Sequence, residues 1–203
     1  MKLDEALEHL DAIKSVANRS NTFEGLRAFP TALTSLVAIA AACLQSGIVA
    51  QSTDPTRAFL MLWVSVAAIA LVIVLADMVL RYYRDPTARE RRMTLDVLAR
   101  LSPAIIVGAS ITTVVFFTAI EIAWVLPGLW AALLGMGVFA ASSLLPSSLQ
   151  KVGIWYIGCG LAVLILGQGD WVMHPLTMAI PFGGGQVLAA GLMHINTANG
   201  EAI

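Results

Sequence analysis

Residues 81–100 read RYYRDPTARERRMTLDVLAR. Arg81, Arg84, Arg89, Arg91, Arg92 and Arg100 crowd this stretch, and a long apolar run lies on each side of it. Between two membrane spans, a short Arg-rich loop stays on the cytoplasmic side, because its cations resist translocation. With this loop placed inside, every other apolar segment acquires a direction.

Composition agrees with a chain made for lipid. Of 203 residues, 58% are hydrophobic and 12% charged, about half the charge of an ordinary soluble domain, which is about 25%. Most charges fall in 1–27 and 81–100, so the uncharged runs are long enough for several spans. The net charge of −1 gives no basic field for nucleic acid. Cys43 and Cys159 sit in apolar runs without metal-ligand spacing, which suits packing. Residues 1–29 contain no early apolar run of the kind a cleaved signal needs, so the run from Thr31 reads as an uncleaved signal anchor.

The expected architecture is an all-α, polytopic transmembrane bundle of six spans with both termini cytoplasmic. Segment 1–29 is an amphipathic N-terminal helix and linker. Leu3, Ala6, Leu7, Leu10, Ile13 and Ala17 share one face, with Asp4, Glu8 and Asp11 on another. An interfacial helix bound to anionic lipid would be basic on its polar face. This one is acidic and Lys14 interrupts its apolar stripe, which suits a protein surface as its partner or, equally, a solvated cap on the first span. The transmembrane domain covers 30–195, with spans at 31–49, 58–80, 103–120, 124–145, 152–166 and 175–194. A basic loop occupies 81–101 and a polar tail 196–203. Within the loop, Asp85-Pro86 is set to cap a short helix lying along the inner surface. Its apolar face is Met93, Thr94, Val97, Leu98 and Leu101, and Arg89, Arg92 and Arg100 face lipid phosphates. This topology leaves Arg57 as the one Lys or Arg outside. Tyr82, Tyr83, Trp155 and Tyr156 then fall near the inner interface, and Trp63, Trp124 and Trp171 near the outer one. No internal repeat of the kind many transporters carry is visible.

Polar groups within spans are the candidates for function. Asp77 lies in span 2, with Arg81 one helical turn on as its natural partner. Glu121, Asp170 and His174 mark the outer ends of spans 3 and 6; were those ends to meet, they could hold a cation or proton. In span 6, Pro181-Phe182-Gly183-Gly184-Gly185-Gln186 predicts a kink, because Pro181 cannot donate to the carbonyl of Thr177. Broken helices can line binding sites, but glycines also allow close packing. Gly158 and Ala162 in span 5 offer a small-residue match, and packing of spans 5 and 6 is the preferred reading. No motif of a hydrolase, metalloprotease or nucleotide-binding loop is present.

The N-terminal run LDEALEHLDAIKSVANRSNTFEGLR, the hydrophobic spans, and Phe182, Gly183, Gly185 and Gln186 as a Phe-Gly-x-Gly-Gln stretch together resemble a loose group of bacterial multi-span integral membrane proteins of uncharacterised activity. Some of that group are paired with small winged-helix regulators. The resemblance implies an inner-membrane location and transfers no catalytic residue. The expectation is a non-enzymatic regulatory or scaffolding module without cofactor or metal. Its partners would be membrane lipids, a cytoplasmic protein met through the N-terminal helix, and further copies of itself, with no direct contact to nucleic acid. The alternative is a small oligomeric transporter or channel for a solute, ion or lipid, using Asp77, Glu121 and Gln186.

Overall fold

The computed structural model describes residues 28–84, 88–144, 147–166 and 170–198. The amphipathic segment 3–17, the Asp85-Pro86 cap and most of the polar tail lie outside the described residues. Among those described, the regular elements are all helical. In chain order they are α1 (Ala28–Ala50), α2 (Pro55–Arg84), α3 (Ala88–Thr118), a 3-10 turn (Ile120–Val125), α4 (Leu126–Ala140), a short 3-10 turn (Ser147–Leu149) and α5 (Gln150–Leu166). A 3-10 turn (Asp170–Met173) then leads into α6, built from Leu176–Met178, a π-helical turn Ala179–Gly184 and Gly185–Ala198. Five helices are long and apolar enough to cross a membrane: Phe29–Ala50, Pro55–Arg84, Arg92–Thr118, Ile120–Ala140 and Leu176–Ile195. The apolar α5 is shorter, at 17 residues.

The helices form a circuit. α1 packs on α2 and α6, α3 on α4, α4 on α5, and α5 on α6; the α2–α3 seam is thinner. The core has two layers. At the end bearing the Arg-rich connection, Met78, Val97, Ala141, Leu149, Val152, Tyr156 and Ala189 cluster. At the far end, Ala38, Ala42, Phe59, Leu60, Trp63, Val115, Leu126 and Met178 do so. Phe182 packs against both layers. Trp63, expected as an interfacial anchor, is instead buried within the far layer.

The basic connection differs from its expected form. No separate surface helix precedes span 3; α3 runs unbroken for 31 residues, through Pro103. At 1.5 Å per residue it is about 46 Å long, well beyond the roughly 30 Å of a hydrocarbon core. Proline in a helix interior costs about 3 kcal/mol, because it removes the bond to the carbonyl four residues back. Here that carbonyl belongs to Ala99, and the Ser102 hydroxyl donates to it at 3.2 Å. The chain thereby supplies its own replacement donor beside the proline. The predicted apolar face is real, but it packs on protein. Thr94 and Val97 are buried, and Met93, Leu98 and Leu101 lie against the core, while Arg92, Asp96 and Arg100 are exposed.

α4 and α5 make the most extensive contact in the fold. Gly128 and Gly135 on α4 face Gly160 and Gly153 on α5, in antiparallel register. A Cβ on Gly160 would stand 2.6 Å from the Gly128 carbonyl oxygen, and one on Gly135 would stand 2.8 Å from that of Gly153. The expected small-residue pair, Gly158 and Ala162, plays no such part: a Cβ at Gly158 meets open space, and Ala162 is exposed. The glycines that matter recur every seven residues, which keeps them on one stripe of a tightly packed pair.

Gly160→Ala is therefore expected to destabilise the fold by about 1–3 kcal/mol, the usual cost of overpacking. Gly158→Ala should stay within about 0.5 kcal/mol of the parent, as substitutions in open positions do. Thermal unfolding of both variants in the same detergent checks the contrast.

Candidate functional site

The predicted polar positions do not converge. Asp77 is half-buried in α2 beside the buried Met78, and its side chain is engaged with a neighbour. Arg81 follows in the same unbroken helix, its side chain outside the description. Glu121 is exposed in the turn between α3 and α4. His174 is exposed at the entry to α6; its Nδ1 accepts from the Leu176 amide at 3.3 Å, and its ring lies 5.3 Å from that of Trp171. The backbone at Asp170 opens the preceding 3-10 turn. Among the described residues, no group of three His, Cys, Asp or Glu side chains is placed to hold a metal ion.

The span 6 motif does come together, as packing. Pro181, Gly183 and Gly184 lie in a π-helical turn, a wider helical register that proline and glycine both admit, and Gly185 opens the α-helix that follows. Each glycine receives a side chain from a neighbouring helix. A Cβ on Gly183 would stand 3.1 Å from Ile39 of α1, on Gly184 3.2 Å from Trp155, and on Gly185 2.6 Å from Tyr156, both of α5. Carbonyls of the turn accept bonds from the same neighbours: the Ser35 hydroxyl donates to Gly183 at 3.2 Å, and the Trp155 indole to Pro181 at 3.3 Å. α5 and α6 therefore do pack closely, as expected, but through aromatic rings set into glycine notches. Gln186 follows, half-buried.

One buried group in this region lacks a partner. Tyr156 is 2% exposed, and its hydroxyl makes no hydrogen bond among the described residues. Its ring lies 5.9 Å from that of Phe182.

Sequence reading passed over the polar lock at the far end. Gln45 is 0% exposed. Its Nε2 donates to the Met173 carbonyl at 2.6 Å, and its Oε1 accepts from the Trp63 indole at 2.9 Å. One amide thus joins α1, α2 and the entry to α6. The available signal was its register. Gln45 continues the stripe Thr31, Thr34, Ser35, Ala38, Ala41 and Ala42, all buried, which recurs at helical spacing. A similar bond joins α3 to α4, where the Trp130 indole donates to the Thr112 hydroxyl at 2.8 Å. At the basic end, Nη1 of Arg100 donates to the Ala140 carbonyl at 3.1 Å and to the Ser143 hydroxyl. This cation closes the carboxyl end of α4, where the helix dipole favours positive charge.

Five described helices are long and apolar enough to cross a membrane, which is consistent with a multi-pass α-helical membrane protein. No protein-family model, curated protein or solved structure matches the chain.

Gln45→Leu should orphan both the Trp63 indole and the Met173 carbonyl, at about 1–3 kcal/mol for each buried group. Tyr156→Phe removes a hydroxyl without orphaning a partner and should leave stability unchanged or raise it. Unfolding midpoints of the two variants in detergent distinguish a satisfied polar group from an unsatisfied one.

Proposed function

We propose that the chain is a six-span protein of the bacterial inner membrane with both termini cytoplasmic. It acts as a non-enzymatic scaffold, presenting a rigid basic projection to an acidic cytoplasmic partner. The reading extends the resemblance to bacterial multi-span proteins noted above.

The observation that carries it is the build of α2 and α3 at the basic end. Helices of 30 and 31 residues exceed what a hydrocarbon core of about 30 Å requires. The excess on α3 is fastened to the core through Thr94 and Val97, and Arg100 ties it to the end of α4. A topogenic loop needs charge alone, not this fastening. Arg92 remains exposed on the fastened segment and Arg84 at the end of α2, free to meet carboxylates or phosphates. The buried polar side chains elsewhere, including Gln45, Ser35 and Thr112, are spent on helix–helix bonds, which suits a scaffold better than a polar path.

Six crossings are supported by α5. Its 17 residues sit at the short end of the range for a span. It lies antiparallel along α4 from Gly153 to Gly160 and also contacts α6, so it shares their slab. A second reading, a small oligomeric transporter, draws on the unpaired Tyr156 hydroxyl beside the π-helical turn. Liposome flux lost on Asp77→Asn or Gln186→Leu would favour it.

For topology, a green fluorescent protein fused after Ile203 should fluoresce and alkaline phosphatase fused after Gly169 should be active. A dark fluorescent fusion sinks the six-span reading. For function, affinity purification in mild detergent with native mass spectrometry should recover a stoichiometric acidic partner. Joint substitution of Arg84, Arg89 and Arg92 by Glu should remove that partner without changing the unfolding midpoint. A partner retained by that variant excludes the projection as the contact.

A further inference from the structure

The apolar lengths around the circuit are unequal. On α2 the run 58–80, between Arg57 and Arg81, holds 23 residues, about 34 Å of helix. Asp77 lies near its inner end, engaged with a neighbour. On α5 the run 152–166 holds 15 residues, about 22 Å. Lys151 is exposed just before it, and Gly167-Gln168-Gly169-Asp170 follows it in the chain. A hydrocarbon core is about 30 Å thick, so α5 falls short by about 8 Å.

α5 has no means of making up the difference. Tilt only lowers the height a helix covers. Sliding is opposed by the glycine contacts, since it would carry Gly153 and Gly160 away from Gly135 and Gly128 on α4. The end of α4 is itself held at the basic side, where the exposed Arg100 donates to the Ala140 carbonyl. The outward face of α5 is nevertheless apolar, with Ile154, Leu161, Ile165 and Leu166 exposed. α2 and α5 stand three steps apart either way round the circuit. The longest and shortest apolar runs thus lie on opposite sides of the protein.

A helix too short for its bilayer is met by thinning of the lipid, by snorkelling of its flanks or by association with another copy. Lys151 can snorkel at the basic end, but residues 167–170 supply no long cation at the other. A second copy set against Gly158 and Ala162, both exposed, would cover the face without lengthening it. The ends of both helices would still fall within a core of ordinary thickness. We propose that the α5 face binds phospholipid with short acyl chains, and that the bilayer is thinner there than along α2. This inference rests on the reading that α5 crosses the membrane.

The test uses the full chain with Cys43→Ser and Cys159→Ser. A fluorophore is attached at Leu161→Cys on α5 or at Ile69→Cys on α2. Both positions are about half exposed and near the middle of their runs, so depth does not separate them. Vesicles hold equal amounts of dimyristoleoyl and dierucoyl phosphatidylcholine, with one of the two brominated as the quencher. The short-chain quencher should be enriched at Leu161 over Ile69 by about threefold, and brominating the long chain instead should invert the order. Gln150→Leu with Lys151→Leu, both exposed positions, lengthens the apolar run. It should lower the preference at Leu161 and leave Ile69 unchanged. Equal quenching at the two positions overturns the proposal, and so does a preference at Leu161 indifferent to the longer run. A fluorophore at Leu161 shielded from both quenchers while Ile69 is reached assigns the face to a second copy and overturns it equally. An inactive alkaline phosphatase fusion after Gly169 removes the six-span reading and this inference with it. An active fusion with equal quenching removes this inference alone.

Discussion

Inside an apolar slab a backbone carbonyl without a donor costs several kcal/mol, because no water is there to replace the lost bond. The helices of this protein are built around that constraint wherever a proline or a π-helical turn disturbs the regular ladder. Ser102 supplies the Ala99 carbonyl just before Pro103. The Trp171 carbonyl, four residues before Pro175, accepts from the His174 amide and from the Thr177 hydroxyl. Ser35 and Trp155 donate to carbonyls within the turn around Pro181. Local donors let α3 continue through its proline, while donors from neighbouring helices hold α6 in its wider register.

The same economy governs contacts between helices. Three indole N–H groups bridge successive pairs: Trp63 to Gln45 joins α2 to α1, Trp130 to Thr112 joins α4 to α3, and Trp155 to Pro181 joins α5 to α6. In lipid there is no hydrophobic force to drive helices together, so shape and polar bonds must do so. Glycine pairs provide the shape between α4 and α5, and glycine notches filled by aromatic rings provide it between α5 and α6. Tyr156 shows the balance between the two. Its ring fills the Gly185 notch, and its hydroxyl has no hydrogen-bond partner among the described residues. Packing has outweighed a hydrogen bond at this position.

The basic end is joined to the core by both packing and polar bonds. Val97 fills the core layer, Thr94 is buried beside it, and Arg100 closes the end of α4. A segment that hydropathy alone would assign to the lipid surface becomes the continuation of a span. The proposed role as a presenting surface draws on that attachment to the core.

The sequence by itself determined the class of protein and the approximate limits of its helices. Uncharged apolar runs of about 20 residues read as helices able to span lipid, and their ends are marked by charge, proline and polar turns. It also determined which face of residues 93–101 is apolar, since helical periodicity depends on local geometry alone. It did not reveal what that face covers, and periodicity cannot distinguish lipid from Met78 and Leu149. The glycines were visible as glycines, yet only the tertiary structure selected Gly153 and Gly160 over Gly158, because the choice depends on which helix lies alongside. Gln45 was legible only as one polar residue in an apolar run. Its partners, at Trp63 and Met173, come from other elements, and only the tertiary structure brings those three groups within hydrogen-bonding distance.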